Sequence, residues 1–264
     1  MKLGFIGLGN MAKAMIGGII AKGLMGPDDI IGTATTEETC AKVAKKYGIQ
    51  TLSSNAAVAK EADIIILAVK PQYLKVVIAD IMDNVDDSKV IVSIAAGKTI
   101  NWLQNEFEKQ VKIVRVMPNT PALVLEGCSA VCRNDLVDDD NYKFVKELLG
   151  SFGKAYTVPE SLMDVVVGVS GSSPAYVFMF IEAMADAAVE GGMPRKQAYE
   201  FAAQSVLGSA KMVLETGKHP GELKDMVCSP AGTTIDAVHV LEENGFRGTV
   251  MNAVTACIEK SRSL

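Results

Sequence analysis

The chain has 264 residues, of which 49% are hydrophobic and 22% charged, with a formal net charge of -5. That is the composition of an ordinary globular protein, long enough for one large or two medium domains and for a core that needs no covalent staples. No stripe of Lys and Arg interrupts the acidic balance, which argues against a nucleic-acid partner.

Five cysteines (Cys40, Cys128, Cys132, Cys228, Cys257) are scattered, with no paired Cys-x-x-Cys, and the two histidines, His219 and His239, lack ligand neighbours. Neither a disulfide framework nor a metal site is expected, and a reducing cytoplasm is the expected location. The N-terminus enters a strand pattern directly, without a signal peptide. No apolar run is read that approaches the roughly 20 residues of a membrane helix, so no membrane partner is expected.

In chain order, strands are predicted over 2–6, 30–33, 63–69, 90–94 and 112–117, with helices between them, for example over 11–22 and 37–47. The run Ile64-Ile65-Ile66-Leu67-Ala68-Val69 is apolar on successive residues. A strand tolerates that when both of its faces are covered, as in a parallel sheet flanked by helices. The alternation predicts an α/β, doubly wound, Rossmann-like domain. Strands over 129–132 and 155–158 extend it to Pro159, so the dinucleotide-binding domain is read as 1–159. Residues 160–264 then read as an all-helical domain of four or five helices, for dimerisation and substrate binding. Within it, 174–190 is apolar nearly all round and must be covered on every side. A small helical domain rarely covers one helix so fully, which points to a subunit interface; a central helix inside one monomer's bundle is the alternative.

The first strand runs into Gly7-Leu8-Gly9-Asn10-Met11-Ala12 and then a helix. This is the G-x-G-x-x-A arrangement in its proper strand-to-helix context. Gly7 permits the tight turn, Gly9 lets backbone N–H groups approach a pyrophosphate, and Ala12 keeps the helix close to the sheet. The helix N-terminus adds partial positive charge. An NAD-selective site carries an acid at the end of the second strand, to hold the ribose 2′-hydroxyl. Here stand Thr33-Ala34-Thr35-Thr36, and the first carboxylate is Glu37. A 2′-phosphate is then not repelled, and the threonine hydroxyls are candidates to bind it, unless they are ordinary turn residues. NADPH is the expected cofactor, with NADH the alternative. The strand over 63–69 ends in Ala68-Val69-Lys70-Pro71 and the strand over 90–94 is followed by Ala95-Ala96-Gly97, where small residues leave room for a nucleotide at the carboxyl ends of the strands. Lys70 either touches a phosphate or is solvated. Met117-Pro118-Asn119-Thr120-Pro121 forms a stiff polar loop placed to face a nicotinamide.

Two later segments place Ser before Pro at a predicted helix entrance: Ser170-Gly171-Ser172-Ser173-Pro174-Ala175-Tyr176, with Ser173 as cap, and Cys228-Ser229-Pro230-Ala231-Gly232-Thr233-Thr234. Each is an anion site or a plain cap.

Taken together, these motifs make the chain resemble the pyrroline-5-carboxylate reductase family over essentially its whole length. The carriers are GFIGLGNMA at 4–12, AVKP at 68–71, AAG at 95–97, NTP at 119–121, SGSSPAY at 170–176, HPGELKDMV at 219–227 and SPAGTT at 229–234, with 246–262 also fitting. The resemblance implies hydride transfer from NAD(P)H to the C=N carbon of 1-pyrroline-5-carboxylate, giving L-proline, with the cofactor carrying the hard chemistry. It implies cofactor contacts at Gly7, Gly9, Asn10, Met11, Thr33, Thr35, Asn55, Ala68, Val69, Lys70, Pro71, Ala95, Gly97, Asn119, Pro121 and Ser172. Ser229, Gly232 and Thr233 are expected to hold the substrate carboxylate, and Thr234 to hydrogen-bond the ring nitrogen as the catalytic hydroxyl. An interlocked homodimer, or an assembly of dimers, is implied as well.

The chain departs from the family in Ser173 and Ala231, where glycine is usual, in Met226, where some relatives are polar, and in lacking a basic residue after the second strand. A β-hydroxyacid dehydrogenase on the same architecture typically needs a lysine on the long helix, and 173–191 contains none. A nucleotide-sensing protein without catalysis needs no second anion loop. Fold by itself does not separate these rivals.

Overall fold

The computed structural model describes residues 1–263. The N-terminal part runs β1 (Leu3–Ile6), α1 (Asn10–Ala21), β2 (Ile30–Thr33), α2 (Glu37–Tyr47), β3 (Gln50–Thr51), α3 (Asn55–Glu61), β4 (Ile64–Leu67), α4 (Leu74–Ile81), β5 (Val90–Ser93), α5 (Ile100–Phe107), β6 (Lys112–Met117), β7 (Gly127–Arg133), α6 (Asp139–Gly150) and β8 (Gly153–Thr157). The strands form one sheet in the order β3-β2-β1-β4-β5-β6-β7-β8. Pairing is parallel except between β6 and β7.

The successive apolar residues of β4 do what their pattern requires. Ile64 and Ile66 point into one core with Leu3, Phe5, Val90 and Val92. Ile65 and Leu67 point into a second core on the other face, with Ile6, Ile91 and Ile113. Burying each such side chain is worth about 1.5–3 kcal/mol, and a one-residue slip would exchange the two sets. Predicted strand ends are met within one or two residues. The two-residue edge strand β3 was not predicted, because Gln50-Thr51 carries no apolar signal.

The helical part continues with α7 (Met163–Val166), a π-helical turn at Val167–Gly171, α8 (Ser173–Glu190), α9 (Arg195–Thr216), α10 (Pro220–Val227), α11 (Thr233–Glu243) and α12 (Phe246–Arg262). The chain divides into two compact units, Met1–Ser172 together with the chain end from Cys257, and Ser173–Ala256. In the first unit, the end of α12 is tied down by two side-chain bonds. Ser261 Oγ donates to Asp164 Oδ1 at 2.6 Å, and Cys257 Sγ donates to Ser172 Oγ at 3.1 Å.

Two expectations are corrected in the helical part. The apolar helix over 174–190 is not the centre of a monomeric bundle: in α8 only Ala185 is buried, while Phe178 and Met179 are 62% and 68% exposed. The expectation that no apolar run is long enough for a membrane fails too. The helical stretch Glu160–Glu190 is long and apolar enough by length and composition, with 6% of its apolar window buried. Counting uninterrupted apolar residues missed it, because Ser, Gly, Pro and Glu are spaced through a segment whose average is still apolar. An exposed patch of this size marks a surface made to be covered.

Candidate active site

The sheet order reverses direction between β1 and β4, with β2 and β3 on one side and β5 onward on the other. The crevice outside the carboxyl ends of the strands at such a switch point is where parallel α/β sheets bind ligands. Gly7 stands there with φ +95, and a Cβ on it would lie 2.6 Å from the Ala68 carbonyl oxygen. Only glycine fits, because the obstacle is backbone. Gly9 has nothing within 4 Å of where its Cβ would be, so the space above the turn is open. It precedes α1 without any side-chain cap, which leaves the N–H groups of Asn10, Met11 and their neighbours free to face an anion. Ala12 is fully buried. A cradle closed to a methyl group on one side and open on the other fits a dinucleotide pyrophosphate.

Next to this turn lies a cleft of about 580 Å³ lined by Gly7, Thr33, Thr35, Asn55 and Val69, all anticipated from the sequence. Ser53, Ser54, Tyr73, Val76, Val77 and Asp80 line it as well and were not anticipated. The Ser53-Ser54-Asn55 run entering α3 was a usable signal for part of this set; Asp80 offered none, since it meets Asn55 only through the fold. Ser54 is spent as a cap, accepting from the Ala57 N–H at 3.1 Å. Thr36 is also spent. Its Oγ1 accepts from the Thr39 N–H at 3.3 Å and lies 2.8 Å from Thr39 Oγ1. The hydroxyl expected there for a phosphate therefore caps α2, and Thr33 and Thr35 remain. Ala68, Val69, Lys70 and Pro71 follow β4, and Lys70 is exposed. Ala95, buried, and Gly97 follow β5.

Asn119 follows β6 and is 8% exposed. Its Oδ1 accepts the Cys128 N–H at 2.8 Å and its Nδ2 donates to the Ser170 carbonyl at 3.1 Å. Ser170 Oγ in turn donates to the Cys128 carbonyl at 3.3 Å. The Asn119 amide is thus committed to fastening the loop that carries Pro121 onto the π turn that leads to Ser172. Nearby, Arg115 is buried and pairs with Glu160 at 2.9 Å, and Glu160 Oε1 also accepts the Ile100 N–H at 2.7 Å. Burial first, then the Glu160 charge, pushes the Cys132 thiol up to about 11 against the opposing Arg115, which leaves it an inert thiol at neutral pH.

The two Ser-Pro segments differ. Ser170–Tyr176 does not open a fresh helix. The chain is already helical from Met163 through the π turn, the Ser172 N–H is bonded to the Val167 carbonyl at 2.8 Å, and Ser173 is itself the first residue of α8 rather than a cap. The anion site expected at that entrance is therefore not formed by orphan N–H groups. In the second unit, α11 begins at Thr233 behind Gly232, with no side-chain cap. The Gly232 N–H donates to the Ser229 carbonyl at 3.0 Å, and a Cβ at Gly232 would collide with Ser229 Oγ. Ala231 is held at φ +55, a left-handed conformation that favours glycine. This turn presents the first-turn N–H groups of α11 and the hydroxyls of Ser229, Thr233 and Thr234 in one short segment.

The fold, the glycine turn and the switch-point cleft define a Rossmann-type nicotinamide-dependent oxidoreductase; residues 2–97 match the family model described as NADP oxidoreductase, coenzyme F420-dependent. Residues 160–264 match the model for pyrroline-5-carboxylate reductase dimerisation. Over 263 residues the chain is 54% identical to a pyrroline-5-carboxylate reductase of Escherichia coli, covering 100% of this chain and 98% of the relative. It is 46% identical to one from Methanosarcina acetivorans, covering 100% and 97%. A crystal structure of Plasmodium falciparum pyrroline carboxylate reductase with NADP bound superposes with a TM-score of 0.91 at 36% identity, covering 100% of this chain and 97% of that one. The chain belongs to the pyrroline-5-carboxylate reductase family. A prephenate dehydrogenase from Aquifex aeolicus, at 15% identity and a TM-score of 0.55, shares the fold alone.

Proposed function

We propose that this protein reduces 1-pyrroline-5-carboxylate to L-proline with NADPH, and that NADH serves less well. The observation that carries the reading is the uncapped start of α11 behind Ser229-Pro230-Ala231-Gly232, in a chain 54% identical to a named reductase over its whole length. When bound, the reduced nicotinamide supplies the hydride for the C=N carbon. The rest of the work falls to the chain's own groups. The turn from Gly7 to Met11 holds the pyrophosphate, Thr33, Thr35 and Asn55 hold the adenosine end, and 68–71, Ala95 and Gly97 form the wall behind the nucleotide. Pro121, the Asn119 backbone and Ser172 are assigned to the nicotinamide end.

At the other site, the N–H groups at Gly232 and Thr233 and the Ser229 hydroxyl hold the substrate carboxylate. The Thr234 hydroxyl is assigned to the ring nitrogen. A protonated imine is already electrophilic, so one oriented hydroxyl and correct positioning are enough without a strong acid. On this reading the functional division is 1–159 for the nucleotide and 160–264 for dimerisation and substrate. The exposed apolar face of α8 is covered by a second copy, in a homodimer or an assembly of dimers. The five free cysteines fit a reducing, cytoplasmic setting.

The test follows NADPH and NADH absorbance with the purified protein and the cyclic imine, in wild type and Thr234→Val. Valine keeps the shape and removes the hydroxyl. A lost hydrogen bond that strengthens as the imine becomes an amine is worth about 1–3 kcal/mol, or roughly 5- to 150-fold in turnover. NADPH binding should change little. Full turnover in Thr234→Val refutes the role given to that hydroxyl, and no turnover of the imine in wild type refutes the activity.

A further inference from the structure

The adenosine-side cleft has an unusual charge balance. Among the described residues its lining includes the hydroxyls of Thr33, Thr35, Ser53 and Ser54, the Asn55 amide, no Lys or Arg, and one carboxylate, Asp80. The carboxylate comes from α4, not from the end of β2, where an acid that reads a ribose would ordinarily stand. It is exposed, and it is held at the cleft by Asn55, whose Nδ2 donates to Asp80 Oδ2 at 2.9 Å. Two effects follow. One amide hydrogen that Asn55 would otherwise offer to an incoming anion is already used. A fixed negative charge also lines a cleft whose remaining polar groups are neutral, where it acts against a 2′-phosphate and not against a 2′-hydroxyl.

We propose that Asp80, directly and through Asn55, is a selectivity residue that lowers affinity for a 2′-phosphorylated adenosine relative to one with a free 2′-hydroxyl, and so keeps NADH usable. The proposal rests on the reading of this cleft as the adenosine site. It differs from a merely structural role, in which Asp80 only fastens the end of α4 to the start of α3. A structural loss weakens both kinds of nucleotide together. A selectivity loss changes their ratio.

The experiment measures, by calorimetry, dissociation constants of adenosine 2′,5′-bisphosphate and of adenosine 5′-monophosphate for wild type, Asp80→Asn, Asp80→Ala and Asp87→Asn, at low and high salt. Asp87 is an exposed residue in the turn before β5, at the opposite end of that strand, and its variant removes the same charge. The expected result is a rise of about 3- to 10-fold in preference for the bisphosphate in both Asp80 variants. The rise should shrink at high salt, as a charge effect at an exposed site must, and should be absent in Asp87→Asn. The ratio of kcat/KM for NADPH over NADH should move the same way. A preference within twofold of wild type in the Asp80 variants overturns the proposal, as does an equal weakening of both nucleotides or an equal rise in Asp87→Asn. If neither nucleotide binds wild type, the adenosine reading of the cleft itself falls, and the proposal with it; imine reduction measured in parallel reports separately on the activity.

Discussion

Replacing Gly7 and Gly9 separately with alanine should produce two different failures, although the two glycines sit in one motif. At Gly7 the new Cβ would be 2.6 Å from the Ala68 oxygen, 2.9 Å from the Ala68 carbonyl carbon and 3.0 Å from Val69 Cγ1, on a backbone with φ +95. The left-handed conformation costs alanine roughly 1–2 kcal/mol. The overlap with backbone cannot be relieved by a rotamer change and costs about 1–3 kcal/mol more, as overpacking does. Relief requires opening the β1–β4 ladder beside the bond from the Ala68 N–H to the Ile6 carbonyl, which is 2.9 Å long. At Gly9 the backbone is at φ -73 with nothing within 4 Å, so alanine should be nearly neutral for the fold. There the methyl group stands where backbone must approach the pyrophosphate. Thermal unfolding should therefore fall by roughly 5–20 °C in Gly7→Ala, at about 2–4 °C per kcal/mol for a chain of this size, and by less than about 2 °C in Gly9→Ala. NADPH titration by fluorescence should show weakening of tenfold or more in Gly9→Ala. Unfolding temperatures that do not separate the two variants would refute the strain argument. Wild-type affinity in Gly9→Ala would remove the pyrophosphate from this turn.

Three further outcomes are expected. Phe180→Asp places a charge on the exposed apolar face of α8 beside Phe246, whose ring centroid is 6.2 Å away. If a second copy covers that face, light scattering should show dissociation, and an unaltered dimer would put the interface elsewhere. Ala231→Gly should raise stability by about 0.5–1 kcal/mol by relieving the φ +55 conformation, readable as a small increase in denaturant midpoint; a decrease would show that the turn is not strained. Asp138 caps α6, and the backbone N–H and then the side chain of Asn141, with a smaller part from Lys112, lower its carboxyl from 3.8 to about 2. A depressed carboxyl contributes stability that is present above pH 3.8 and lost as pH falls towards about 2. Asp138→Asn, which keeps an acceptor at the cap, should flatten that part of a midpoint-against-pH curve while changing little at neutral pH. An unchanged acid slope would rule out Asp138 as its source.

Much of the nucleotide half was legible in the sequence because its signals are local. Four successive apolar residues in β4 state that both faces are covered, and a strand running into Gly-x-Gly-x-x-Ala and a helix specifies a turn whose geometry depends on neighbours in the chain. The SPAGTT segment was equally readable, since Pro and Gly constrain the backbone wherever they stand. Other features depend on where distant segments meet. Asn55 and Asp80 are 25 residues apart, and Arg115 finds Glu160 45 residues away, so neither pair leaves a periodic trace. The Ser170–Tyr176 segment has the composition of a helix entrance, yet the preceding turn is already helical, and that is settled by the hydrogen bond from Ser172 back to Val167. The apolar circumference of α8 announced that something must cover it. That the rest of this chain does not do so was decided by the tertiary structure, because hydrophobic patterning records how much surface must leave water and not which surface will take it.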